Sequence, residues 1–149
     1  MENIQKNRKL ILRDIKKANK NSIFVKTNLT KLVAVSKKQL EYKILQAIES
    51  GQKVYGENRV QEAQKRWERI LETHKDIELR LIGPLQTNKV KQALKLFNII
   101  ETIDRENLAK EIAKNFGHET KTKSFYIQVN TGSETKKSGI IPTDADTFI

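Results

Sequence analysis

The sequence predicts an α/β protein built as part of a β/α barrel, with about five of the eight parallel strand–helix units of a complete one. Three observations predict it. Short apolar runs rich in Val and Ile alternate along the chain with amphipathic stretches of helical length, a pattern that demands right-handed crossovers and a parallel sheet. Polar residues recur just past each predicted strand, at Ser36-Lys37, Glu57-Asn58, Gln86, Asp104 and Asn130. That rim is the functional face of a TIM-type barrel, whereas a doubly wound sheet collects fewer such residues at one place. Finally, no Gly-rich phosphate fingerprint follows the first strand, which counts against a dinucleotide fold.

The elements follow in order. Residues 2–20 predict an amphipathic helix, with Ile4, Leu10 and Ile11, Ile15 and Ala18 near helical spacing and Asn19 and Asn21-Ser22 as the stop. The stretch Ile23–Asn28 is assigned to no element. The run Leu32-Val-Ala-Val-Ser36 predicts a fully buried strand ending at Lys37. A lysine at that dry mouth would be partly desolvated, which favours the neutral amine and makes Lys37 a candidate Schiff-base nucleophile; the other reading of this stretch is a snorkelling lysine that merely ends the strand. A helix over about 39–49 carries Leu40, Ile44, Leu45 and Ile48 and ends at Ser50-Gly51.

The next strand is Lys53-Val54-Tyr55, followed by Gly56-Glu57-Asn58-Arg59 and a helix from Val60 to His74. Val60, Ala63, Trp67, Ile70 and Leu71 share one face of that helix, so Trp67 reads as a core residue. A third strand, Leu79–Gly83, precedes a helix striped by Val90, Ala93, Leu94 and Phe97. The fourth, Asn98–Ile103, stops at Asp104, and its helix carries Leu108, Ile112, Ala113 and Phe116 with Gly117 as the cap. The fifth, Phe125–Asn130, leads into the polar loop Thr131–Gly139, and Thr143–Ile149 reads as a helix cut short.

At 149 residues the chain fits a single domain, 1–149, with a real core. It has no cysteine, hence no disulfide, thiolate metal site or thiol nucleophile. The amino terminus lacks the apolar segment of a signal peptide, and no long apolar run occurs, so the expectation is a cytoplasmic protein with neither a membrane nor a metal partner. The net charge of +11 comes from lysines dispersed among glutamates, with three Tyr, five Phe and one Trp to stack on bases. A solvated lysine-rich surface accounts for this better than a nucleic-acid interface.

Read together, five blocks carry a resemblance: Leu32-Val-Ala-Val-Ser-Lys37, Tyr55-Gly-Glu-Asn-Arg-Val-Gln-Glu62, Leu81-Ile-Gly-Pro-Leu-Gln-Thr-Asn-Lys89, Ile103-Asp-Arg105, and Gln128-Val-Asn-Thr131 with Lys137-Ser-Gly139. In this order and spacing they resemble the pyridoxal-phosphate homeostasis family (YggS/PROSC), over roughly residues 5–142. The resemblance implies a barrel like the amino-terminal domain of alanine racemases. It also implies binding of pyridoxal 5′-phosphate (PLP) as an aldimine, for intracellular PLP homeostasis and without catalytic turnover. By that match Lys37 holds PLP, Asn58 lies near its ring, and Val35 and Gly83 line the pocket at strand ends.

Asn58 has a second reading, as the N-cap of the following helix, and Glu57 is either a buried acid or the partner of a nearby Lys or Arg. Gln86 and Asn88 read as helix caps. The chain departs from the family at Lys38, Leu40 and Leu79-Arg80-Leu81. It also departs in carrying no match to the family's last three units, which hold the cofactor's phosphate. The expectation is therefore a truncated barrel, for which three accounts stay open: a truncated or split gene product, a degrading gene whose product does little, or a half whose open edges are covered by a second half-barrel or a second copy. Two alternatives stay open: a fragment of a PLP-dependent racemase or decarboxylase, and a basic nucleic-acid-binding module.

Overall fold

The structure, a computed structural model, describes residues 3–23 and 30–149. Its elements are α1 (Ile4–Asn21), β1 (Ala34–Val35), α2 (Glu41–Glu49), β2 (Val54–Glu57), α3 (Val60–Thr73), β3 (Glu78–Leu81), α4 (Val90–Leu96), β4 (Ile99–Ile103), α5 (Glu106–Asn115), β5 (Ser124–Ile127) and α6 (Ala145–Phe148). Single 3₁₀ turns, Thr87–Lys89 and Pro142–Asp144, open α4 and α6. The five strands are all parallel and lie in chain order, β1-β2-β3-β4-β5. Order without reversal is the winding of a barrel, since a doubly wound sheet turns back at a switch point. The fold is thus five consecutive units of a β/α barrel.

Strand alternation sorts the residues. Glu57, Leu81, Ile100 and Phe125 stand level across β2–β5, on the face that the helices cover. There Tyr55, Leu79, Leu81 and Ile100 pack with Ile44 and Ile48 of α2, Val60, Ala63 and Trp67 of α3, Val90 and Leu94 of α4, and Leu108 and Ile112 of α5. Trp67 is fully buried and tilts against Tyr55 with ring centroids 4.7 Å apart. Each large side chain removed from water this way contributes about 1.5–3 kcal/mol.

The opposite face is the barrel's interior. One row crosses the whole sheet there: Val35, Gly56, Arg80, Ile99 and Ser124. Arg80 donates to Glu78 at 2.7 Å and to Glu101 at 2.8 Å, and Lys31 stands 3.4 Å from Glu78. Burial alone would raise the Glu78 pKa, but the Arg80 and Lys31 cations outweigh it and hold the carboxyl below its usual range.

Several sequence expectations need correction. The strand over 32–36 is not fully buried: only Ala34 and Val35 pair as β1, and Val35 is 47% exposed. The cause is position, because β1 is an edge strand and, among the described residues, no layer covers its inner face. Helix α1 forms, but none of its residues is buried, and its half-buried stripe is Ile4, Arg8, Leu12 and Ile15 rather than Leu10, Ile11 and Ala18. Arg8 docks it, donating to Gln52 and to the carbonyls of Ser50 and Gly51 at the end of α2. Leu40 precedes α2 and is exposed, as are Ala113 and Phe116 at the end of α5. Residues 24–28 of the unassigned stretch lie outside the described residues.

Candidate functional site

The candidate site lies at the carboxyl ends of β1, β2 and β3. Ser36 directly follows β1 with every polar group used. Its N–H donates to the Gly56 carbonyl at 3.0 Å, its hydroxyl donates to Glu57 at 2.7 Å, and its carbonyl accepts the Gln39 N–H at 3.1 Å. The last bond closes a tight turn with Lys37 and Lys38 at its apex. Lys38 pays for that turn with φ of 59°, a left-handed value uncommon outside glycine. Lys37 therefore sits between a fixed residue and a constrained one. Its side chain is exposed, so the expectation of a desolvated lysine at a dry strand mouth is not met: among the described residues nothing covers the inner face of the β1 edge.

Glu57, the last residue of β2, is fully buried. Its carboxylate accepts from the Ser36 hydroxyl, from Arg66 at 3.0 and 3.1 Å, and from the Trp67 indole N–H at 3.0 Å. Both sequence readings of Glu57 hold at once: it is a buried acid, and Arg66 is its partner. The involvement of Ser36 and Trp67 escaped sequence reasoning. A signal existed in the alternation, since Tyr55 and Glu57 share the helix-covered face of β2 and α3 brings Arg66 and Trp67 over it.

Asn58 follows Glu57 where β2 turns into α3. The N-cap of α3 is Arg59, with no side-chain cap bond, so the capping reading of Asn58 is wrong. Among the described residues its amide has no hydrogen-bond partner and is available to a ligand. Gln86 and Asn88 make no side-chain cap either; the Gln86 backbone carbonyl alone receives the Lys89 N–H. Gly83 is buried against Asn58, where a β-carbon would stand 2.3 Å from the Asn58 carbonyl oxygen and 2.7 Å from its Cα. The Gly83 carbonyl accepts the Thr102 hydroxyl at 2.8 Å, tying β3 to β4.

The structure brings Val35 and Gly56 level in the sheet, which sets Lys37 and Asn58 at neighbouring strand ends, and it packs Gly83 on Asn58. It does not enclose them. A cleft of about 670 Å³ on the rim includes Asn58, Arg59, Lys89, Asp104, Arg105 and Ser138, but not Lys37, Val35 or Gly83. Arg105 is anchored there by Asp104 at 2.6 Å and the Leu85 carbonyl at 2.7 Å. The loop over 131–139 is closed by the Asn130 side chain, which donates to the Glu134 carbonyl and accepts the Glu134 N–H. Among the described residues no cluster of His, Asp or Glu could hold a metal ion, and no helix is long and apolar enough to cross a membrane.

No family model matches the sequence. Individual proteins do. The chain is 41% identical over 115 residues to a pyridoxal phosphate homeostasis protein of Aquifex aeolicus, covering 77% of this chain and 50% of that protein. It is 35% identical over 144 residues to the protein of the same name from Vibrio cholerae, covering 95% and 61%. Among solved structures it resembles PipY of Synechococcus elongatus with PLP bound, with TM-score 0.72 and 28% identity over 90% of this chain and 60% of PipY. An unknown protein of Bifidobacterium adolescentis aligns with TM-score 0.83 and 26% identity, over 97% and 62%. The chain thus spans about half to three fifths of the length of these relatives.

Proposed function

We infer, from a chain that belongs to the pyridoxal phosphate homeostasis protein family and spans 50–61% of those relatives, that it is part of a barrel that binds PLP and serves its intracellular homeostasis. The observation that carries this reading is the pairing of an exposed primary amine, Lys37 on a fixed turn, with the Asn58 amide at the adjoining strand end, which has no hydrogen-bond partner among the described residues. PLP supplies an aldehyde, which condenses with a primary amine and releases water. Lys37 is the amine in this reading. Asn58 would offer a neutral donor and acceptor to a ring substituent, Val35 would line the pocket, and Gly83 packs against Asn58 and fixes its place. These residues fit the aldehyde and ring of the group.

By the resemblance, the phosphate is held by segments outside the matched part. In this reading the 149 residues form one domain, and further barrel units from a second half-barrel or a second copy cover its edges, β1 and β5. Exposed apolar residues at both edges support this: Val35 and Leu40 on one side, Tyr126, Val129 and Ile141 on the other. The protein is proposed to be cytoplasmic and not a catalyst. A racemase or decarboxylase would need a second acid–base group across the ring from Lys37, and the relatives are named for homeostasis. Dispersed lysines give no support to a nucleic-acid module.

The test is a PLP titration followed by visible absorption. Wild type should develop the band of a lysine-bound cofactor, and Lys37→Ala should not. Identical spectra for the two proteins would reject the reading.

A further inference from the structure

We propose that Glu57 is a positioning residue for Lys37, acting through the Ser36 hydroxyl. The proposal rests on the reading of Lys37 as the cofactor's amine. A fully buried carboxylate is costly unless every acceptor position is used, and a buried ion pair is often no more stabilising than apolar residues of the same size. Glu57 nevertheless occupies the core, held by Arg66 and Trp67 of α3. Its remaining bond goes outward along the sheet, to the residue that immediately precedes Lys37.

The consequence is geometric. With its hydroxyl on Glu57, its N–H on Gly56 and its carbonyl closing the turn to Gln39, Ser36 cannot rotate. The Lys37 backbone is then launched from the sheet in one direction, although its side chain is exposed. Glu57 also directly precedes Asn58, so one anchored carboxylate fixes the approach of both residues assigned to the cofactor. Holding an amine and a ring contact in register in advance is what makes an attack on a carbonyl carbon efficient. The Lys38 φ of 59° marks the same turn as imposed by its surroundings rather than chosen by its residues.

The discriminating variant is Ser36→Ala, which leaves Glu57 with Arg66 and Trp67. Two quantities are read in the full chain. One is the rate at which PLP is trapped on Lys37 by borohydride, resolved by peptide mass. The other, without PLP, is hydrogen exchange at the Gln39 amide. The expected result is trapping slowed roughly tenfold to a hundredfold and faster Gln39 exchange, both beyond what the lowered urea midpoint of a lost buried hydrogen bond accounts for, with Ser36→Thr restoring both. Should Ser36→Ala not fold, Ser36→Cys keeps the volume and weakens the donor, and carries the same comparison. Trapping at Lys37 equal in wild type and variant overturns the positioning role, whatever the exchange shows. No trapping at Lys37 in wild type overturns the cofactor reading itself, and an exchange difference would then mark a purely structural pin.

Discussion

Gly83 and the Asn58 carbonyl approach so closely that a β-carbon on Gly83 would stand 2.3 Å from that oxygen. The neighbouring atoms are backbone, which cannot swing away as a side chain would. Gly83→Ala should therefore push the β2 and β3 ends apart and lower stability by about 1–3 kcal/mol, read as a lower urea midpoint. It should also displace Asn58 and weaken PLP binding beyond the loss of stability. Unchanged midpoint and binding would show that the rim yields at no cost.

Arg66 is the cation that offsets the buried Glu57 charge, with side chains 17% and 0% exposed. Removing it alone, as Arg66→Met, strands the carboxylate and should cost about 3–5 kcal/mol. The double variant Glu57→Leu with Arg66→Met should recover part of that loss, because it removes the stranded charge. Chemical denaturation of the three proteins measures the difference.

The interior triad of Glu78, Arg80 and Glu101 gives a pH dependence with a definite sign. The Glu78 carboxyl is held below its ordinary range in the folded chain: burial opposes this, but Arg80 and Lys31 prevail. Its contribution to stability is therefore complete above the unfolded-chain value of about 4.3 and is lost as pH falls through the lower folded value. Wild type should exceed Glu78→Gln in thermal midpoint at neutral pH, and the gap should close below about pH 4.

Lys38 occupies a left-handed backbone position, a conformation that costs an L-residue about 1–2 kcal/mol. Asn tolerates it and a β-branched residue does not. Lys38→Asn should leave the thermal midpoint level or slightly higher, and Lys38→Val should lower stability by about 1–2 kcal/mol.

Much of the fold was legible because its signal is local. The stripes Val60-Ala63-Trp67-Ile70 and Val90-Ala93-Leu94-Phe97 lie buried where helical spacing put them, and all five strands occur where the apolar runs fall. What escaped depends on residues distant in sequence. The exposure of Val35 and Lys37 follows from β1 being an edge whose inner face nothing covers among the described residues, which no periodicity in 32–37 encodes. The Ser36–Glu57–Arg66–Trp67 network joins β1, β2 and α3, and appears only once the strand register aligns them. Arg80 stood out in the sequence as a departure from the family, and its role between Glu78 and Glu101 needed the pairing of β3 with β4.

The central claim is that Lys37, and no other lysine of this lysine-rich chain, takes up PLP. The most direct measurement is borohydride reduction of the protein with a stoichiometric amount of PLP, followed by peptide mass mapping. The account predicts that the phosphopyridoxyl group resides on the peptide carrying Lys37 and is lost in Lys37→Ala. Label spread evenly over surface lysines, or unchanged by that substitution, would contradict it.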